Sequence, residues 1–127
     1  MKRKALGLFA TFFKIGAFTF GGGYAMIPLI QREIVDKKQW ATNEDLLDII
    51  AIAESTPGPI AVNAATFIGS KIDGFFGALF ATLGVVLPSF ITILAVSFAI
   101  AQFEHIKIVQ YAFTGIRAAV LALIIRA

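Results

Sequence analysis

Four apolar stretches, separated by short polar connections, organise this sequence. They cover residues 5–30, 49–70, 75–101 and 108–125. A helix needs about 20 apolar residues to cross the hydrocarbon core of a bilayer, so each stretch predicts a membrane span. The third contains no charged residue and meets this requirement best. The pattern therefore predicts an all-α integral membrane protein with about four apolar segments.

The first two stretches contain residues that break helices. Three glycines follow one another at positions 21–23, and glycine costs about 1 kcal/mol per residue inside a helix. A Pro-Gly-Pro sequence occupies positions 57–59, where the prolines remove two backbone donors and fix φ. A broken backbone is tolerated in a membrane only where protein buries it or water reaches it. Because such breaks occur at the substrate sites of secondary transporters, this pattern favours movement of a solute.

Composition agrees with a membrane protein and excludes several kinds of site. The chain has 127 residues, of which 58% are hydrophobic and 15% charged, whereas soluble domains carry about 25% charged residues. It has no cysteine and one histidine, His105, so we expect no disulfide and no metal site. No cofactor motif or nucleophile–base pair is visible, which indicates that the protein is not an enzyme and needs no cofactor. The net charge of +3 is too small and dispersed to indicate nucleic acid binding.

The polar segments predict local structure. Residues 31–48 form a charged connection in which Thr42 or Asn43 is the predicted N-cap of a helix with carboxylates in its first turn. Residues 71–74 predict a tight turn that makes the second and third stretches antiparallel neighbours. The basic residues at positions 2–4 resemble the start of a signal peptide, but the apolar run continues past any cleavage site, which predicts an uncleaved first span. We expect one transmembrane domain over residues 1–127 and no soluble domain.

Small residues recur every three or four positions in the third stretch. Gly74, Gly77, Ala81 and Gly84 form this stripe. Small residues let membrane helices approach closely, so the stripe predicts helix packing rather than substrate contact.

Charged residues inside the apolar stretches suggest an anion as the ligand. Lys14, Glu54 and Arg117 interrupt the first, second and fourth stretches. If the two breaks place helix N-termini face to face, free N–H groups and positive dipole ends form an anion site. Glu54 has three readings: it carries a proton, it pairs with Lys14 or Arg117, or it bonds the unwound backbone. Lys14 has the alternative of reaching the membrane surface along its apolar stem.

The two broken segments resemble a known family. Residues 13–23 read Phe-Lys-Ile-Gly-Ala-Phe-Thr-Phe-Gly-Gly-Gly, and residues 54–59 read Glu-Ser-Thr-Pro-Gly-Pro. Together with Glu33 and Trp40, these motifs resemble the chromate ion transporter family over roughly residues 9–99. The resemblance implies a short member, equivalent to half of a two-repeat protein, and export of chromate, an oxyanion shaped like sulfate. The chain departs from the family at Lys14, where many members carry Arg, and at Gly23, where many long forms carry Pro.

The candidate site therefore collects the residues of the two breaks and the polar residues near them. Ser55, Thr56 and Asn63 have donors for an oxyanion, although serine and threonine commonly bond back to their own helix. No residue is predicted to be catalytic or to bind a metal. The predicted substrate-binding residues are Lys14, Thr19, Gly21, Gly22, Gly23, Glu54, Ser55, Thr56, Pro57, Gly58, Pro59, Asn63 and Arg117.

Loop charges leave the topology open. With four spans and the N-terminus inside, the inside carries Lys2, Arg3, Lys4, Lys71 and Arg126, and the outside carries Arg32, Lys37, Lys38 and Lys107. The positive-inside rule needs a larger difference. Either the span count is wrong because a broken segment is re-entrant, or the chain inserts both ways as an antiparallel dimer.

The functional prediction is efflux of chromate by a secondary mechanism in a dimer in the cell membrane. The dimer is an antiparallel homodimer or a heterodimer with a second half-unit, with a parallel pair as the competitor. The alternatives are a sulfate-type anion transporter, an accessory membrane subunit of a partner transporter, and a channel-like pore. The accessory subunit predicts that the purified chain alone binds no anion.

Overall fold

The computed structural model is built of α-helices, and it describes residues 2–19, 21–103 and 106–126. Phe20 of the glycine motif and His105 lie outside the described residues. A π-helical turn, Gln31–Lys37, continues the second helix directly. The helices are α1 (Lys2–Phe18), α2 (Gly23–Ile30), α3 (Asn43–Ser55), α4 (Ile60–Phe103) and α5 (Lys107–Arg126). Both predicted breaks are confirmed, because α1 and α2 are separated at the glycines and α3 and α4 at Pro-Gly-Pro.

The chain divides into two compact units, Met1–Ile91 and Thr92–Ala127. The first unit holds the apolar core, in which Leu8, Phe12, Ile34 and Ile68 are fully buried. In the second unit none of the described residues of α5 is buried. Two described helices, Ile60–Ala101 and Lys107–Arg126, are long and apolar enough to cross a membrane. These helices, apolar yet exposed, agree with the predicted all-α membrane protein.

Helix α4 is bent sharply at Asp73 and Gly74, whose backbone angles are not helical. Gly74 has φ +59°, a left-handed conformation that suits glycine. Within the first unit, the segments on either side of the bend, residues 60–72 and 75–91, run antiparallel. The hydroxyls of Thr66 and Thr82 lie 2.7 Å apart, and a Cβ on Gly69 would lie 2.3 Å from the carbonyl oxygen of Gly77. The predicted turn is confirmed.

Helix α1 and the α2 segment with its π-helical continuation also run antiparallel. Near the middle, Lys14 Nζ lies 3.2 Å from Glu33 Oε1. Further from the break, a Cβ on Gly7 would lie 3.1 Å from the ring of Trp40. The contacting pairs are more widely separated in sequence the further they lie from the turn, as in Lys14–Glu33 and then Gly7–Trp40. This pattern defines a helical hairpin. We call it the first hairpin; of the described residues, its tip comprises Thr19, Gly21 and Gly22.

Helix α3 and the first half of α4 form a second hairpin, whose tip is residues 56–59. Beside the tip, Asn63 Nδ2 donates to the carbonyl oxygen of Ala53 at 3.2 Å. At the opposite, open end, Lys71 Nζ lies 2.5 Å from Asp45 Oδ1. Residues 49–70, predicted as one apolar span, therefore do not form one continuous helix, because the chain reverses direction at residues 56–59. At about 1.5 Å per residue the 13 residues of α3 span about 20 Å, and the chain then turns back instead of continuing.

Small residues hold α1 against the second half of α4, with the two segments running parallel. A Cβ on Gly16 would lie 2.7 Å from the carbonyl oxygen of Val85, and one on Gly84 would lie 2.6 Å from that of Phe9. Ala81 is fully buried in the same stripe. The packing role predicted for Gly77, Ala81 and Gly84 is confirmed. For Gly74 it is wrong, because a Cβ there would meet nothing within 4 Å and the residue serves the bend.

The N-cap of α3 is Thr42, one of the two residues predicted for this position, and not Asn43. Its hydroxyl accepts from the Asp45 N–H at 3.1 Å, and its own N–H donates to Asp45 Oδ2 at 3.0 Å, which completes a capping box. The hydrogen bond from Lys71, followed by those from Thr42, lowers the pKa of Asp45 to about 2. This carboxylate therefore stays ionised and ties together both arms of the second hairpin.

Replacing Gly84 with alanine is expected to destabilise the protein, because the new methyl group would overlap the Phe9 carbonyl. Overpacking of this kind costs about 1–3 kcal/mol, which corresponds to a fall of roughly 5 °C or more in the thermal midpoint. Gly115→Ala is the matched control, since a Cβ there meets nothing within 4 Å. Thermal unfolding of the purified variants in detergent measures the difference. Equal midpoints for the two variants would contradict the proposed close contact.

Replacing Thr42 with alanine is expected to cost about 1 kcal/mol of stability, because the first turn of α3 loses its cap. Asn43→Ala provides the comparison, since the Asn43 side chain only accepts an exposed hydrogen bond from Gln31. The thermal midpoint should fall more for Thr42→Ala than for Asn43→Ala. The reverse order would assign the cap to Asn43.

Candidate functional site

The tips of the two hairpins meet. A Cβ on Gly23, the first residue of α2, would lie 3.2 Å from the Cβ of Ile60 and 3.3 Å from the backbone nitrogen of Ala61, both in the first turn of α4. The N–H groups of a first helical turn have no acceptor within their own helix. They also carry the positive end of the helix dipole. The adjacent N-termini of α2 and α4 therefore form a positively polarised region suited to an anion.

The glycines of both tips adopt backbone conformations that other residues rarely take. Gly21, Gly22 and Gly58 have φ values of +136°, +86° and +133°. A Cβ on Gly22 would meet nothing within 4 Å, so open space lies beside the start of α2. The alternative that the glycines serve helix packing applies only to Gly23, which contacts α4. Gly21 and Gly22 are required by the path of the chain.

Asn63 braces the second tip. Its Nδ2 donates to the carbonyl oxygens of Ala53 and Thr56, at 3.2 and 3.0 Å. These two bonds satisfy carbonyl groups that the broken helix leaves without partners. A Cβ on Gly58 would lie 3.4 Å from Asn63 Oδ1, so the brace also packs against the tip. Because both amide hydrogens are used, Asn63 supports the tip and donates no further bond in this arrangement.

The hydroxyl groups near the tips bond back to their own helices. Thr19 donates to Ile15 at 2.6 Å, Ser55 to Ala51 at 2.9 Å, and Thr56 to Ile52 at 2.7 Å. A hydroxyl has a single hydrogen to donate, so none of these three donates to a ligand in this geometry. The hydroxyl groups that were predicted to bind a ligand therefore donate to backbone carbonyl oxygens of their own helices instead. Backbone N–H groups are the donors that the tips present.

Lys14 pairs with a carboxylate that lies outside the predicted site. Glu33 accepts from Lys14 at 3.2 Å and from Lys37 at 2.8 Å. The hydrogen bond from Lys37, with the help of Lys14, lowers the pKa of Glu33. Lys14 is thus held between the arms of the first hairpin, on the side away from its tip. Sequence reasoning placed Glu33 in the family motif but did not identify it as the partner of Lys14.

Glu54 stands in the last turn of α3, next to the second tip. Its side chain is exposed, and none of the described residues forms an ion pair with it. The predicted pairing with Lys14 is not formed, because Lys14 binds Glu33. Pro57 and Pro59 are exposed beside it. The second tip therefore presents a carboxylate and an irregular backbone on its open face.

Arg117 belongs to the second unit, near the midpoint of α5. It lines a cleft of about 400 Å³ together with polar residues of both helical segments in that unit. Thr114 in the same cleft donates to the Gln110 carbonyl oxygen at 2.9 Å. The other lining residues are Ser97, Ile100, Ala101, Val109 and Phe113. Arginine at such a depth in an apolar helix is costly and usually serves a function.

Comparisons with known proteins identify the family. The model of the chromate transporter family matches residues 6–127. The chain is 36% identical to a chromate transport protein of Pseudomonas aeruginosa over 94% of its own length and 29% of that protein. It is 34% identical to a chromate transport protein of Cupriavidus metallidurans, over 89% of this chain and 28% of that protein. An uncharacterised transporter of Bacillus subtilis, YwrB, is 37% identical over 79% of this chain and 51% of its own length.

The chain thus spans less than a third of the length of the chromate transport proteins that it matches. No solved structure matches it. The family match covers both broken segments and both units of the fold. The chain therefore belongs to the chromate transporter family, whose members are membrane transporters and not enzymes.

Proposed function

We propose that this chain takes part in the efflux of chromate or a closely similar oxyanion across the cell membrane, by a secondary mechanism. The single observation that carries the proposal is the contact of Gly23 with Ile60 and Ala61, which joins two helix N-termini at the tips. The names of the relatives support chromate as the substrate. The proposed binding residues are those of the predicted set at the two breaks whose side chains are not engaged elsewhere. They are Gly21, Gly22, Gly23, Pro57, Gly58 and Pro59, with Glu54 beside them.

The chemistry of the tips supports a doubly charged, tetrahedral anion. Backbone N–H groups form stronger hydrogen bonds to ionised oxygen atoms than to neutral ones. Two converging dipole ends also repel cations, and their effect increases where water is excluded. Four oxygen atoms directed to the corners of a tetrahedron can accept from both N-termini at once. Sulfate has the same shape and charge, so the proposed site accepts it as a competitor.

Besides the N–H groups of the tips, Arg117 supplies a positively charged side chain for the anion in this proposal. About ten residues of α5 lie on either side of it, which places it roughly 15 Å from both ends of the helix. Lipid phosphates at the membrane surface are too distant to neutralise it at that depth. A polar cleft around a central cation is suited to an anion on its way through the membrane.

The proposed transporter works with a second half-unit. Glu54, Pro57, Gly58 and Pro59 are exposed at the tip of the second hairpin, about 20 Å from its open end. At such a depth an irregular backbone needs cover by protein or water. In this proposal a second half-unit, either a second copy or a separately encoded half, provides this cover.

Gly23→Ala is expected to weaken chromate binding, because its methyl group would separate the N-termini of α2 and α4. Loss of one charge-assisted hydrogen bond lowers affinity by about tenfold to a hundredfold. In the unaltered protein chromate should raise the thermal midpoint, since a ligand that binds only the folded state stabilises it. Gly7→Ala is the control, because its methyl group would press on the Trp40 ring near the open end of the first hairpin, away from the tips. If chromate raises the thermal midpoint of Gly23→Ala as much as that of the unaltered protein, the proposed binding site is refuted. If chromate does not raise the midpoint of the unaltered protein, the result favours an accessory subunit.

Arg117→Gln is expected to reduce chromate uptake into proteoliposomes by about tenfold or more, because a central cation is lost. Arg126→Gln removes a cation of the same type at the end of the same helix and should leave uptake near that of the unaltered chain. Colorimetric assay of trapped chromate measures both. Equal uptake by the two variants would exclude a substrate role for Arg117.

A further inference from the structure

The open ends of both hairpins lie together at one end of the first unit. Gln31 Nε2 donates to Asn43 Oδ1 at 3.1 Å, which joins the π-helical turn of the first hairpin to the start of α3. Lys71 binds Asp45 across the second hairpin at the same end. Helix α1 runs parallel to the segment that begins at residue 75, so its first turn belongs to this end too. We call this surface the open-end face; it comprises residues 2–4, 37–45 and 71–74.

The arms of the hairpins are too short to carry the tips across a bilayer. Helix α3 has 13 residues and spans about 20 Å, and α1 has 17 residues and spans about 25 Å. The hydrocarbon core is about 30 Å thick. With the open-end face at one membrane surface, both tips lie within the membrane. There the two hairpins contact each other through Gly23, Ile60 and Ala61. In this placement the exposed tip residues, Gly21, Gly22, Pro57, Gly58 and Pro59, need cover by a partner or by water.

The basic residues of the first unit are concentrated on the open-end face. Residues 15–30 and 49–70, which contain the tips, have no lysine or arginine. Lys14 and Arg32 lie between the face and the tips, and Lys14 is paired with Glu33. The segments that form the face contain six basic residues, namely Lys2, Arg3, Lys4, Lys37, Lys38 and Lys71, and three acidic ones, namely Glu44, Asp45 and Asp73.

We propose that both hairpins enter the membrane from the cytoplasmic side, that neither crosses it, and that the open-end face contacts the anionic cytoplasmic leaflet. The positive-inside rule assigns such an accumulation of lysine and arginine to the cytoplasm, and anionic lipids there attract it. The near-equal loop charges counted from the sequence depended on placing Lys38 and Lys71 on opposite sides. Since the hairpins bring them to one side, the chain inserts in a single orientation. The inference does not depend on which anion is transported.

Single cysteines test this arrangement, because the chain contains none. The variants are Lys4→Cys, Lys38→Cys and Ser70→Cys; position 70 is exposed and leaves the Lys71–Asp45 pair intact. A membrane-impermeant maleimide is applied separately to right-side-out and inside-out vesicles that contain the full chain. A permeant maleimide, which should label every variant in both preparations, is the control for reactivity.

All three cysteines are expected to react with the impermeant reagent in inside-out vesicles only. Crossing hairpins would place position 38 opposite positions 4 and 70, so labelling of Lys38→Cys from the outside alone would overturn the proposal. Labelling of all three from both sides would show dual insertion and would overturn the single orientation. Labelling of all three from the outside only would retain the re-entrant hairpins but refute their cytoplasmic entry.

Discussion

The structure depends on one constraint, that a backbone interrupted within a membrane must still satisfy its polar groups. The chain is interrupted at the two tips, where side chains form local hydrogen bonds to the backbone. Asn63 donates to two carbonyl oxygens of the second tip, and the hydroxyls of Thr19, Ser55 and Thr56 donate to carbonyl oxygens one turn earlier. All of these bonds satisfy backbone acceptors. Among the N–H groups at the starts of α2 and α4, those of Ala25, Val62 and Asn63 bond to the carbonyl oxygens of Gly22 and Pro59. The N–H groups that precede them in each helix give the tips their positive character.

Close packing by small residues places the tips together. In lipid there is little hydrophobic drive between helices, so contact depends on how closely backbones approach. Gly16 and Gly84 seat α1 against the second half of α4, and Gly69 and Gly77 close the bend at Asp73. A methyl group at any of these four glycines would overlap a backbone carbonyl. The tip contact is therefore a consequence of packing that lies well away from it.

Local chemistry in the sequence predicted much of this fold. The breaks, the cap at Thr42 and the bend near Gly74 follow from residue types whose conformational preferences act over a few positions. Hydropathy could not show that each broken segment turns back, because an apolar stretch looks the same whether it crosses or returns. The pairing of Lys14 with Glu33 depends on that return and was missed for the same reason. The sequence predicted where the two breaks fall, whereas the bonds made by Asn63 and Thr56 depend on the return of the chain and on local geometry.

The use of backbone donors limits how such a site can distinguish its ligands. Amide N–H groups do not titrate, so the positive character of the tips is fixed over the whole range of pH in which the fold persists. Asn63 is engaged as a brace and Lys14 is paired with Glu33, whereas the Glu54 carboxylate is exposed and forms no ion pair with the described residues. In the proposed site, discrimination among tetrahedral anions then rests on the width of the gap between the N-termini of α2 and α4. We expect Gly23 to influence that width, because it contacts the first turn of α4.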